Sequence, residues 1–511
     1  MKLTEEQIAI INYEAPMIAI NAFAGTGKTL TLVEYAKLRT DWRFLYIAYN
    51  KAMQVEAGHK FPQNVMCRTL HSLAYEKIGQ QFPTGKIGNN RIGDLVKALN
   101  MHDNENLIVK TANGILSFWL NSNAVDLDYN IFNAYLLTLS IKERKQLSST
   151  EVAKHRLTLA SRIWSLMLDK NNLDVKMPHD GYLKLFHISH PEFNVDCVML
   201  DEAQDSNDVT LGIVNNSYCA HKIVVGDVHQ AIYQFRGSKN ALADFQKMAD
   251  KVFYLTNSFR FNNKIAGYAS MVLHYFKAER HAVIGVGETG EIKHVKKVTR
   301  NVRQGSTILA RRNATLFRLA IDALEEGKKV HFAGGIAKYD LELLTAIADL
   351  DTGRAVVHPF IRRFKGVIQL ANYAEEVSEN DILMFAKLVK STGGKEVKSA
   401  IKELLKFDDW VLKDPSKHIP LCDYLLTTAH RSKGLEFENV TVADDFSELG
   451  QLIEDNARDS YFSGELSAQL KSDYEQEVNL YYVAVTRAKS QLTLVDCPVS
   501  KHLSENYDES L

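Results

Sequence analysis

Cysteine is scarce in this sequence. The five present in 511 residues (Cys67, Cys197, Cys219, Cys422 and Cys497) are scattered, with no C-x-x-C pair and no metal-ligand spacing. They read as reduced thiols of a cytoplasmic protein, and no zinc site, iron–sulfur set or nuclease cluster can be assembled. No uninterrupted apolar stretch approaches the ~18–20 residues that span a bilayer, so no membrane partner is expected. The first residues include Glu5 and Glu6 and no apolar h-region, so no signal peptide is expected. Only nine prolines occur, and neither an internal repeat nor a low-complexity linker is visible. Charge of one sign is also missing: the net charge of −1 gives no global basic field. Any nucleic-acid contact must therefore come from local grooves. What remains is ordinary globular material, 46% hydrophobic and 24% charged, long enough for three or four domains at ~150 residues each.

Short β-rich apolar runs recur between helix-like stretches at 17–20, 44–48, 197–200, 223–225 and 252–255, and again at 307–310, 330–332, 440–443 and 492–495. Alternation of this kind implies parallel sheets covered on both faces, and the grouping implies two of them. Between them, 72–189 and 336–420 read as mainly helical insertions. The acidic stretch Asp444 to Glu477 reads as a solvated loop.

Ala22 to Thr29, AFAGTGKT, follows an apolar strand and opens a helix-like run. Such a loop, Ala24-Gly25-Thr26-Gly27 with Lys28 and Thr29, cradles phosphates. Gly25 and Gly27 let backbone N–H groups turn inward, Lys28 reaches the β- and γ-phosphates, and Thr29 offers a hydroxyl to Mg²⁺. The strict pattern has glycine where this chain has Ala22. At the end of the apolar run 198–200 stands Asp201-Glu202-Ala203-Gln204-Asp205. One carboxylate there can hold Mg²⁺ and its neighbour can orient or deprotonate an attacking water. The two segments together read as an α/β ATPase using ATP and Mg²⁺.

Further segments follow in order: LTEEQ at 3–7, also a T-x-x-Q capping box at a helix start; FLYIAYNKA at 44–52; TLHS at 69–72; VGD at 225–227 leading to QAIYQFRG at 230–237; NSFR at 257–260; TAHRSKGLEF at 428–437; and YVAVTRA at 482–488. The ordered set resembles superfamily 1 helicases of the UvrD/PcrA/Rep type, and in detail the helicase portion of the F-box DNA helicase family. There the residue at position 22 is commonly alanine. The motifs begin at residue 3, so no F-box segment is expected ahead of them.

The resemblance implies two RecA-like parallel-sheet P-loop domains with mainly helical insertions. These are 1–71 with 190–262, interrupted by 72–189, and 263–335 with 421–511, interrupted by a reduced insertion at 336–420. It implies that Gln7 bonds the adenine edge, with Phe259 stacking on the ring where relatives usually carry tyrosine. Thr29 and Asp201 hold the metal, and Glu202 is the general base. Gln230 senses the γ-phosphate, Glu436 joins the nucleotide site, and Arg260 and Arg487 approach the transferring phosphoryl group from the two domains. An arginine finger is worth ~10³–10⁵ in rate. Asn50, Thr69, His71, Tyr233, Phe235, Arg236 and His430 are implied on the nucleic-acid track. On an extended segment Tyr233 and Phe235 share a side, and bases stacked on such rings gain about 1–3 kcal/mol each.

The resemblance further implies a monomeric, DNA-stimulated enzyme acting on single-stranded DNA and on single-/double-strand junctions. Polarity follows from QAIYQFRG, which is of the UvrD kind and implies 3′-to-5′ movement. Protein partners in repair, recombination or defence are expected, in a cytoplasmic setting that is nucleoid-associated in a bacterium, with a nuclear one left open. RNA remains an open substrate by the residues alone. The other functional class is an ATPase switch subunit of a larger repair or defence complex, which would hydrolyse ATP without strand stimulation. The acid-free stretch Ile292 to Ile321, with Lys293, Lys296, Lys297, Arg300, Arg303, Arg311, Arg312 and Arg318, reads mainly as a solvated face.

Overall fold

The computed structural model describes residues 2–102, 105–139, 141–232, 241–288, 290–298, 305–376, 379–413 and 422–505. The chain forms two compact units, Met1–Leu255 and Thr256–Leu511. Unit 1 holds β1 (Met17–Ala22), β2 (Phe44–Ile47), β3 (Val65–Arg68), β4 (Cys197–Leu200), β5 (His221–Gly226) and β6 (Lys251–Leu255). They form one parallel sheet in the order β3-β2-β4-β5-β1-β6.

Alternate residues of each strand point to opposite faces, so each strand feeds two cores. Leu45, Ile47, Val198, Leu200 and Val224 join Trp119, Phe132 and Ile163 from the helices between β3 and β4. Phe44, Tyr46, Cys197, Met199, Ile223 and Val225 join Leu32 and Tyr35 of α2 (Lys28–Leu38). The helical block between residues 70 and 188 is thus the cover of one sheet face.

At the N-terminus, α1 (Glu5–Ile11) starts from Thr4 in a reciprocal capping box with Gln7. Buried Arg39 fixes its far end, donating to the carbonyls of Ile11 and Tyr13 at 2.9 and 3.0 Å while stacking 3.7 Å above the Tyr35 ring. That clamp seats Gln7 beside the turn that precedes α2.

Unit 2 repeats the architecture. Two short strands, β7 (Asn257–Ser258) and β8 (Ile284–Gly285), pair with one another. The main sheet contains β9 (Glu291–Val295), β10 (Ser306–Ala310), β11 (Val330–Phe332), β12 (Tyr424–Thr428), β13 (Phe437–Val442) and β14 (Ala488–Val495). They lie parallel in the order β11-β12-β10-β13-β14-β9. Helices between residues 341 and 413 separate β11 from β12 and share a core with Ile308, Phe332 and Leu426.

One expectation changes. The stretch from Asp444 to Glu477 is largely helical, at Ser447–Glu454, Ala457–Ser463 and the start of Ala468–Val485. Its acids also pair with arginines of the basic stretch before it. Arg311 pairs with Glu477 at 2.7 Å, Arg312 with Glu448, and Arg318 with Asp444 at 3.6 Å, while Asp445 accepts the backbone N–H groups of Arg311 and Arg312. Lys293, Lys296, Lys297 and Arg318 are exposed, in keeping with a mainly solvated face, while Arg311 and Arg312 are drawn in toward the acidic segment. Arg300 and Arg303 lie outside the described residues. Among the described residues, no helix is long and apolar enough to cross a membrane.

Because Trp119 is only 3% exposed and bridges helical block and sheet, Trp119→Ala should lower the unfolding free energy of unit 1 by about 3–5 kcal/mol. Denaturant titration followed by circular dichroism measures this.

Candidate nucleotide site and nucleic-acid track

The functional segments of unit 1 emerge at the carboxyl ends of neighbouring parallel strands, where open α/β sheets bind ligands. The phosphate loop leaves β1, Asp201 leaves β4, and Asp227 leaves β5, which lies between them. Gly25 and Gly27 have φ of 77° and 78°, left-handed values that glycine adopts without a Cβ clash. The following helix begins at Lys28, so the loop aims backbone N–H groups at a helix N-terminus suited to anions. Gln7 Nε2 reaches the Thr26 carbonyl at 3.5 Å while its Oε1 accepts the Thr4 N–H. One side chain thus caps α1 and touches the phosphate loop.

Lys28 Nζ lies 2.8 Å from Glu202 Oε1. Burial opposes its charge, but Glu202 and Asp201 outweigh that, so the ammonium titrates above its ordinary value. Burial and the Glu202 charge push the Asp201 carboxyl upward, against Lys28 and the Tyr46 hydroxyl, which donates to Asp201 Oδ2 at 2.5 Å. Glu202 itself sits at φ 50°, a left-handed conformation that costs a non-glycine residue roughly 1–3 kcal/mol and clusters at functional sites.

From Glu202 the contacts continue. Gln204 donates to Glu202 Oε2 and accepts the Asp227 N–H at 3.0 Å; Asp227 accepts from Gln230 Nε2 at 2.7 Å. A polar chain therefore runs Lys28–Glu202–Gln204–Asp227–Gln230 across the sheet edge. The crossing requires Gly226, because a Cβ there would stand 2.2 Å from Gln204 Oε1.

In unit 2, Arg260 Nε donates to Glu436 Oε2 at 2.8 Å and its Nη1 to the Thr486 carbonyl at 2.9 Å. Burial would raise the Glu436 carboxyl, yet Arg260 holds it below its ordinary range. Arg487 is 1% exposed. It donates to the carbonyls of Val483 and Leu435 at 2.9 and 3.1 Å and to Thr486 Oγ1 at 3.1 Å. Arg260 and Arg487, expected on different domains, thus both belong to unit 2. The first sheet ends at Leu255, and the strand just before Arg260 pairs with Ile284–Gly285 instead.

A family model described as the UvrD/REP helicase N-terminal domain matches residues 3–250, and one described as the UvrD-like helicase C-terminal domain matches residues 317–498. The chain belongs to the UvrD-like helicase family. Its two sheets are accordingly those of two RecA-like domains. Among curated relatives, it is 32% identical over 523 residues to F-box DNA helicase 1 of Gallus gallus, covering 97% of this chain and 49% of the relative. It is 30% identical over 532 residues to F-box DNA helicase protein 1 of Schizosaccharomyces pombe, covering 97% and 57%. A probable DNA helicase of Mycoplasma pneumoniae is 23% identical over 537 residues, covering 97% and 84%. The chain thus spans about half the length of the first two relatives.

The remaining UvrD-like positions fall as follows. Asn50 and Thr69 are helix N-caps, accepting the N–H groups of Met53 and Ser72. His71 is half-exposed, in the first turn after Thr69. His430 lies in the short helix Ala429–Ser432 of unit 2, and Phe259 is partly exposed beside Arg260. Tyr233, Phe235 and Arg236 lie outside the described residues. Tyr46, Gln204 and Asp227 hold the acids in place without having been singled out. Gln204 carried a signal, its place two residues beyond Glu202. Tyr46 carried none, because one hydroxyl on a buried strand looks like core.

Gly226→Ala should displace the Asp201–Asp205 segment and lower ATP turnover at least about tenfold while the chain stays folded. Steady-state hydrolysis beside a circular dichroism melt tests this, and unchanged turnover would contradict the packing argument.

Proposed function

We propose that this chain is an ATP-dependent DNA helicase or translocase that moves 3′-to-5′ along single-stranded DNA, with Mg²⁺ as cofactor. The observation that carries the reading is the polar chain from Lys28 to Gln230. It begins at the phosphate-binding lysine and ends three residues before Tyr233, where the aromatic track segment starts. Family membership and the relatives' names as DNA helicases support the substrate class.

The donor set fits a magnesium nucleotide. Thr29 and Asp201 would hold Mg²⁺, which neutralises phosphate charge when bound and typically takes only one or two protein carboxylates. Among the described residues no three His, Cys, Asp or Glu side chains converge as a ready-made cage. Lys28 would exchange Glu202 for phosphate oxygens, leaving that carboxylate to orient and deprotonate water. Gln7 and Phe259 would hold the base. Arg260 and Arg487, with Glu436, would supply and regulate the positive charge that phosphoryl transfer requires. Asn50, Thr69, His71, Tyr233, Phe235, Arg236 and His430 would carry the strand by sugar–phosphate contact and stacking. Single-/double-strand junctions and proteins on the strand are the substrates of the stroke.

Hydrolysis with and without single-stranded DNA, paired with unwinding of tailed duplexes, tests the reading. Strand-stimulated turnover and a 3′-tail requirement are expected; a 5′-tail requirement contradicts the polarity, and hydrolysis indifferent to DNA contradicts the motor. Glu202→Gln should abolish turnover while nucleotide still binds, measured with a fluorescent ATP analogue. Arg260→Ala should lower kcat about 10³-fold, and a wild-type rate in that variant would remove Arg260 from the chemistry.

A further inference from the structure

Two cavities in unit 1 meet at one side chain. One, of about 190 Å³, is lined by Asp201, Asp205 and Asn207 together with Tyr49, Asn121 and His71. The other, an open groove of about 640 Å³, is walled by Arg68, Tyr75, His179, Tyr182 and again His71. His71 is the residue the two share. It stands in the first turn of the helix Leu70–Lys77, and its Nε2 lies 3.4 Å from Asp180 Oδ1. Asp180 stands in the first turn of the helix His179–Ile188. On that same helix Tyr182 turns its ring edge-on to His71, with centroids 6.4 Å apart, and its hydroxyl is 2.7 Å from His179 Nδ1.

The Asp180 carboxyl is held below its ordinary value, chiefly by the hydrogen bond to His71 acting against burial, and further by the Asn121 amide. Asn121 accepts from Asn207 Nδ2 at 2.7 Å. Asn207 in turn caps the helix after the Asp201–Asp205 segment, accepting the Thr210 N–H at 3.0 Å. Asn121 Nδ2 donates to the Ser117 carbonyl at 3.0 Å, so the direct contact in the groove is the His71–Asp180 pair. Asp180 comes from the helical block, outside the motifs that carry the family resemblance.

We infer that Asp180 is a positioning residue for His71, orienting its imidazole toward a DNA strand. The inference rests on the proposed reading of His71 as a strand contact. As a bare surface pair, His71 and Asp180 would do little for the fold, since both side chains are 47% exposed. The effect of removing Asp180 therefore falls on the strand. Asp180 fixes the ring rotation. Energetic linkage between contacting residues appears as non-additivity in a double-mutant cycle, which a general structural role does not produce.

The test is the affinity of the full chain for fluorescein-labelled oligo-dT, by anisotropy, with wild type, His71→Ala, Asp180→Ala, Asp180→Asn and the His71→Ala/Asp180→Ala double variant. Asp180→Ala should weaken binding about tenfold with an unchanged thermal midpoint. Asp180→Asn, which keeps an acceptor for His71, should recover most of that loss. The double variant should bind no more weakly than His71→Ala alone. Losses that multiply in the double variant overturn the inference, as does wild-type affinity in Asp180→Ala while His71→Ala is weakened. Wild-type affinity in His71→Ala overturns the strand-contact reading itself, and the inference with it.

Discussion

Lys28 and Glu202 lie 2.8 Å apart at the edge of a buried parallel sheet, and in the proposed reaction each must leave the other to act. The lysine is kept charged by two carboxylates, one of them pushed toward its neutral form by burial and by its neighbour. Such a pair is stable only until something more negative than a carboxylate arrives. Phosphate oxygens meet that condition, and the backbone N–H groups of the loop before α2 are already turned to receive them. The strained φ of Glu202 belongs to the same arrangement, because it turns the side chain back from the end of β4 toward a lysine two strands away. Gln204, Asp227 and Gln230 continue the hydrogen-bonded chain from Glu202 along the sheet edge.

The helical block between β3 and β4 shares its apolar core with one sheet face, so the site and its cover form one packed body. Close-packed interiors transmit small displacements instead of absorbing them. The His71–Asp180 pair stands on this same body. Unit 2 shows the corresponding economy of charge. Arg311 and Arg312 of its basic segment pair with acids of its acidic segment, and Arg260 pairs with Glu436 just before β13. Arg487, by contrast, satisfies its guanidinium with carbonyls of neighbouring turns.

Much of this was legible in the sequence where a motif and a strand coincide. The runs before Ala22 and Asp201 are short, apolar and fully buried, and the residues that follow them hold the site. Other elements were hidden for physical reasons. β3 and β9 are edge strands with half-exposed faces, so Arg68, Glu291 and Lys293 interrupt their apolar pattern. β12 is central and wholly buried, yet Tyr424–Thr428 runs directly into the TAHRSKGLEF motif, which drew the reading away from the strand. Composition alone does not mark the acidic stretch after Asp444 as helical, because its partners lie more than a hundred residues earlier. Asp180 is hidden for the same reason, since its significance is entirely in what it touches.

Under the proposed function, occupancy of the phosphate loop changes the grip on a nucleic-acid strand. The direct measurement is the affinity of the full chain for oligo-dT with and without saturating magnesium and a non-hydrolysable ATP analogue. Linkage between the two sites predicts a change of about 5–150-fold, with a reciprocal change in analogue affinity when the strand is bound. Identical strand affinity in both nucleotide states would contradict the account.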